Sequence, residues 1–120
     1  MTLFARDLSL GYGPRRIVDS LSLSIESGRM TVLLGPIGSG KSTLLRALAG
    51  LLPPRGGDAS LDDVSLRQWP RRKLARRIAF LAQTQDIPAG LTVQDLVRYG
   101  RFAHRNWLRG ETGDDREAVE

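Results

Sequence analysis

The chain has no cysteine and a single histidine, His104, among its 120 residues. A disulfide, a thiolate metal site and a cysteine nucleophile are therefore impossible, and a histidine-rich metal centre is excluded. A lone histidine in a polar stretch reads as a surface loop residue. Aromatic residues make up only 6%. None is interleaved with the basic cluster Arg71-Arg72-Lys73 and Arg76-Arg77, so the stacking platform of a nucleic-acid binder is missing. The cluster reads instead as the solvated face of a short helix with Leu74 and Ile78 on its inner side, and nucleic acid is not an expected partner. No apolar run approaches the roughly 20 residues that cross a bilayer. Met1-Thr-Leu-Phe-Ala-Arg-Asp7 lacks the basic-then-apolar pattern of a signal peptide. The expected location is cytoplasmic, free or held peripherally at the membrane through a partner.

What is present is a globular composition: 41% hydrophobic and 26% charged residues, with a formal net charge of +5. The length permits one domain with a modest core. Residues 35 to 43 read Gly35, Pro36, Ile37, Gly38, Ser39, Gly40, Lys41, Ser42, Thr43, which satisfies G-x-x-x-x-G-K-[ST], the phosphate-binding loop. Met30 to Leu34 before it is a short apolar run that reads as a buried strand. After it, Leu44, Leu45, Leu48 and Leu51 recur at helical spacing. Strand, glycine loop and helix form the context that gives this motif its meaning.

The chemistry follows from charge density. A polyphosphate is met by backbone N–H groups of the loop and by the positive end of the helix that starts there. Lys41 would reach the β- and γ-phosphates. The Ser42 hydroxyl would ligate Mg²⁺ bridging the same phosphates. Thr43 would add a hydrogen bond near the α-phosphate, mostly through its backbone. The alternative at this level is a glycine turn that merely opens a helix.

Elsewhere, partial alternation predicts strands over Leu3–Leu10 and Ile17–Ile25, joined by a turn at Gly11-Tyr-Gly-Pro14. A loop over Gly50–Asp58, a short strand Ala59–Leu61, a helix Pro70–Arg77 and a buried strand Ile78–Ala82 ending at Gln83 follow. Thr92-Val-Gln-Asp95 fits a capping box opening a helix Val93–Tyr99. Gly100–Gly113 reads as irregular. A last helix is expected over Asp114–Glu120 with no stop signal, which suggests a chain cut within a helix.

These features together resemble an ABC-type ATPase, the nucleotide-binding subunit of a transporter. The resemblance rests on Tyr12 upstream of the loop, where that family stacks an aromatic ring on adenine; on Gly35 to Thr43; and on Gln83 closing a later strand, as the family's Q-loop glutamine does. The segment Ala49-Gly-Leu-Leu-Pro-Pro54, followed by a glycine pair, is similar to the family's link after the phosphate-loop helix. The family implies an α/β phosphate-loop NTPase fold, an antiparallel β-subdomain beside a parallel core sheet that is incomplete here. It implies ATP and Mg²⁺ as ligands, with Lys41 and Gln83 in catalysis and Ser42 and Gln83 at the metal. It also implies a permease and a second ATP-binding subunit as partners. Leu91 to His104 is similar to the T-V-x-E-L-V-x-x-G-R-x-P-H segment of iron–siderophore, haem and cobalamin importers, with Asp95 for the glutamate and Ala103 for the proline.

Ile37 stands where the family carries a polar residue, and binding is expected to survive because the backbone does the cradling. The signature L-S-G-G-Q, an apolar strand ending in Asp-Glu and the switch histidine do not occur in residues 1 to 120. Asp62-Asp63 lacks the preceding apolar strand, and Ala79–Ala82 leads to glutamine. On this basis residues 1–120 are expected to be the N-terminal part of one ATP-binding domain, marginally stable, able to bind Mg²⁺·ATP but not to hydrolyse it alone. A truncated non-hydrolysing nucleotide binder and an unrelated phosphate-loop enzyme, such as a small-molecule kinase, are the rival readings.

Overall fold

The computed structural model describes residues 1–84, 86–105 and 112–119. Its elements are β1 (Leu3–Tyr12), β2 (Arg15–Ile25), α1 (Lys41–Leu48), β3 (Gly56–Leu61), β4 (Val64–Ser65), α2 (Arg71–Ala75), α3 (Val93–Tyr99) and α4 (Gly113–Glu117). The chain divides into two compact units, Met1–Leu74 and Ala75–Glu120.

The first unit is built on an antiparallel sheet of order β2-β1-β3-β4. β1 is paired on both sides and carries the core. Leu3 and Ala5 are buried, then Leu8 and Leu10, so the inward phase slips by one residue between them. The cause is a bulge: Asp7 stands at φ 48°, and the ladder to β2 shifts register between Ala5 and Leu8. One extra residue flips the period-two pattern, which is why the alternation in the sequence is only partial. The Ser22 hydroxyl accepts from the Asp7 N–H at 2.9 Å. α1 lays Leu44, Ala47 and Leu48 against this surface, and β3 adds Ala59 and Leu61. Each fully buried leucine contributes on the order of 2 kcal/mol of apolar transfer.

Leu45 and Leu51, expected on the same helical face, are about half exposed, at 48% and 54%. The buried stripe runs instead through Thr43, Leu44, Ala47 and Leu48. Leu51 is excluded because α1 has already ended. Gly50, at φ 73°, donates to the Ala47 carbonyl at 3.0 Å, and Leu51 donates to the Arg46 carbonyl at 2.8 Å. This is a Schellman stop. A Cβ on Gly50 would also meet Leu74 Cδ2 at 2.6 Å, so the stop doubles as a packing contact.

The larger correction concerns the two apolar runs read as buried strands. Residues 30–34 and 78–82 form no ladder. Met30, Leu34 and Leu81 are 92%, 87% and 87% exposed. The composition of both runs is that of strands, but a strand exists only through a neighbour. Among the described residues none pairs with either run, so the antiparallel sheet is present and a parallel ladder is not.

β4 was not anticipated. Asp62 and Asp63 both take positive φ, at 50° and 63°, making the two-residue turn between Leu61 and its partner Val64. That pair of acids is therefore a hairpin turn.

In the second unit α3 begins and ends where the sequence places it. Thr92 accepts from the Asp95 N–H at 3.1 Å, and the Asp95 carboxylate accepts from the Thr92 N–H at 3.1 Å. The Thr92 hydroxyl, then its N–H, hold Asp95 below the ordinary carboxylate range. α2 is shorter than the expected Pro70–Arg77. It has no acid in its first turn, and its leading arginines oppose the helix dipole. α4 is five residues long rather than running through Glu120, which lies outside the described residues, as does part of the stretch read as irregular. A second capping box opens α4, with Asp115 accepting from the Thr112 N–H at 3.1 Å and the Thr112 hydroxyl at 2.8 Å. The Thr-x-x-Asp spacing was legible but unread. Asp115 also accepts from Arg101 Nε at 2.9 Å. The Thr112 N–H, then its hydroxyl and Arg101, lower the Asp115 pKa from 3.8 to about 2.

Candidate nucleotide-binding site

The glycine loop turns on itself before α1. Ser39 donates its N–H to the Pro36 carbonyl at 3.2 Å, and Gly38 stands at φ 83°. Gly40 is the N-cap of α1 at φ 93°, and no side chain caps the helix. The first intrahelical bond runs from Leu44 N–H to the Gly40 carbonyl at 2.9 Å. The N–H groups of Lys41, Ser42 and Thr43 precede that bond, and no helical carbonyl can serve them. They are concentrated donors at the positive end of the dipole.

Gly40 is required for a second reason. A Cβ there would meet Ile17 Cγ2 at 2.8 Å and Val18 Cγ2 at 3.1 Å. The start of α1 therefore leans directly on β2. At Gly35 a Cβ would meet Ser39 Oγ at 2.8 Å, so the loop closes tightly at its other end too.

Lys41 Nζ donates to the carbonyls of Gly35 and Pro36, both at 2.7 Å, and to Ser39 Oγ at 3.3 Å. Its ammonium therefore sits in the mouth of the loop. Ser42 is exposed and Thr43 is buried, which leaves the Thr43 backbone rather than its hydroxyl for any ligand. Ile37 is fully exposed and takes no part in closing the loop. Uncapped amides, one ammonium and an exposed hydroxyl at a glycine-lined turn suit a polyphosphate. Among the described residues no cluster of three acidic or histidine side chains could hold a metal ion.

A family model described as "ABC transporter" matches residues 18–119. The chain belongs to the ABC transporter family. It is 47% identical over 113 residues to the probable siderophore transport system ATP-binding protein YusV of Bacillus subtilis (strain 168), covering 94% of this chain and 41% of that protein. It is 45% identical over 102 residues to the hemin import ATP-binding protein HmuV of Bordetella pertussis (strain Tohama I), covering 85% of this chain and 39% of that one. A solved structure, "Structure of ATP binding subunit of ABC transporter", superposes with a TM-score of 0.78 at 27% identity, over 98% of this chain and 46% of the other. The chain thus spans about two fifths of the length of these curated relatives.

Of the remaining residues singled out in the sequence, Tyr12 ends β1, next to the hairpin turn, and is 44% exposed. It belongs to the same unit as the glycine loop. Gln83 belongs to the second unit, exposed at a bend after the apolar run 78–82. His104 is exposed in a turn, where its carbonyl accepts from Arg76 at 3.5 Å. Sequence reasoning missed Ile17 and Val18, the residues that Gly40 leans on; their only signal was apolar character in a strand.

Proposed function

We propose that this ABC-family chain is the nucleotide-binding portion of an importer ATPase. It couples ATP binding and hydrolysis to uptake of an iron–siderophore, haem or cobalamin complex. The observation that carries the proposal is the start of α1, where an uncapped helix and the Lys41 ammonium converge on one glycine loop. The names of the siderophore and hemin relatives, and the segment Leu91 to His104, support the importer class.

In this reading Gly35 through Thr43 cradle the phosphates with backbone N–H groups. Lys41 exchanges the Gly35 and Pro36 carbonyls for β- and γ-phosphate oxygens, a short movement of one flexible side chain. The Ser42 hydroxyl would hold Mg²⁺, which when bound would supply charge neutralisation to the phosphates. The Tyr12 ring stacks on adenine. Gln83, in the second unit, would act as the family's Q-loop glutamine does, toward Mg²⁺ or the attacking water. No residue among 1–120 matches the family's general base, so these residues are expected to bind and position Mg²⁺·ATP without hydrolysing it alone. The working assembly pairs two such subunits on a permease, at the cytoplasmic face of the membrane. A non-hydrolysing nucleotide binder is the alternative.

The test is calorimetric titration of the full-length protein with Mg²⁺·ATP, followed by steady-state phosphate release. Lys41→Ala should weaken binding by at least about tenfold, the loss of one charge-assisted contact. Undiminished binding by Lys41→Ala would sink the site. Tight binding with no turnover in wild type would move the protein to the alternative.

A further inference from the structure

We infer that Arg55 is a positioning residue for the adenine platform, its guanidinium anchoring the hairpin tip that carries Tyr12. The inference rests on the reading of Tyr12 as the adenine stacker.

The hairpin is unevenly supported along its length. β1 is flanked on one side by β2 and on the other by β3, but the β1–β3 ladder ends at Ser9 opposite Gly56. Beyond it, Leu10, Gly11 and Tyr12 are paired with β2 alone, up to the closing pair of Tyr12 and Arg15. The tip is thus a two-stranded ribbon with a two-residue Gly13-Pro14 turn, and such a ribbon is marginal on its own. Tyr12 is 44% exposed, so core packing does not fix its ring.

Arg55 stands where the third strand stops. Its N–H donates to the Ser9 carbonyl at 2.9 Å, and its guanidinium donates across to the Gly13 carbonyl. One residue thereby extends the support of β3 past the end of the ladder and onto the turn. The other leg of the same ribbon carries Ile17 and Val18, the side chains that bound Gly40 at the start of α1. The ribbon is thus fixed at the phosphate loop by packing and at its tip by Arg55. Releasing the tip lets the ring swing relative to the cradle while the cradle keeps its own contacts.

The distinguishing experiment compares two ligands in the full-length protein: Mg²⁺·ATP, which uses ring and cradle, and Mg²⁺·tripolyphosphate, which uses the cradle alone. Arg55→Ala should raise the Kd for ATP by roughly threefold to tenfold, as expected for losing one hydrogen bond from a charged donor. The Kd for tripolyphosphate should stay unchanged. Arg55→Lys, which keeps one long donor, should recover part of the loss. In a Tyr12→Ala background, Arg55→Ala should add nothing. An equal loss for both ligands, or a full further loss in the Tyr12→Ala background, overturns the inference and makes Arg55 a general stabiliser. If Tyr12→Ala shifts the ATP-to-tripolyphosphate ratio and Arg55→Ala does not, the inference alone fails. If Tyr12→Ala leaves that ratio untouched, the reading of Tyr12 fails and takes the inference with it.

Discussion

Gly40→Ala isolates the contact between the phosphate loop and the β-hairpin. Two costs arise, and both can be sized. The residue stands at φ 93°, where an L side chain costs about 1–2 kcal/mol. The new methyl would also press on Ile17 Cγ2 at 2.8 Å and Val18 Cγ2 at 3.1 Å. Those atoms belong to β-branched side chains with little rotamer freedom, so the strand or the helix start must move. Overpacking of this kind costs about 1–3 kcal/mol. The sum is about 2–5 kcal/mol, divided between lost stability and displaced loop amides. The expected result is a lowered melting temperature without nucleotide and an ATP affinity weakened by at least about tenfold, since 1.4 kcal/mol is tenfold in Kd. Ile17→Ala in the Gly40→Ala background should return part of the loss, a coupling of about 0.5–3 kcal/mol. Wild-type melting and wild-type affinity in Gly40→Ala would refute the argument. Strict additivity with Ile17→Ala would refute its steric half and leave the backbone half standing.

Thr92→Ala removes the hydroxyl that accepts from Asp95. It should cost about 1 kcal/mol, visible as faster amide exchange confined to the first turn of α3. Asp115 has its pKa depressed from 3.8 to about 2 by Thr112 and then Arg101. The stability it contributes is therefore complete above about pH 4 and is lost as pH falls through about 2; acid titration of the exchange rates around α4 should show this, and Asp115→Asn should abolish that component. Leu74→Ala opens a cavity beside Gly50 and should destabilise by about 2–5 kcal/mol, measured by urea unfolding. It should leave tripolyphosphate affinity in the folded fraction unchanged.

Features fixed by neighbouring residues were legible in the sequence. The phosphate loop, the Thr92–Asp95 box and the bounds of α3 all depend on spacings of a few residues, whereas the turn expected over Gly11–Pro14 narrows to Gly13-Pro14 because Gly11 and Tyr12 still pair with β2. Features that depend on distant partners were not. Met30 to Leu34 and Ile78 to Ala82 have strand composition, yet strands are defined by what lies beside them. Leu45 looked like core because its spacing fits, and only the direction from which β1 approaches α1 decides against it. The bulge at Asp7 broke the alternation in β1 and could have been suspected from that break. Arg55 gave no signal at all, because its partner Gly13 is 42 residues away.

Beginning a helix at Gly40 leaves α1 with hydrogen-bond demand that no side chain caps among the described residues. A phosphate ligand that meets it binds the folded protein and not the unfolded one, so it acts as a structural component supplied from solution. Saturation a hundredfold above Kd adds about 2.7 kcal/mol of stability. That is a substantial part of what a small domain possesses. With the proposed nucleotide as that ligand, the lifetime of this protein against proteases would follow the nucleotide supply, falling when ATP is scarce and recovering when it returns.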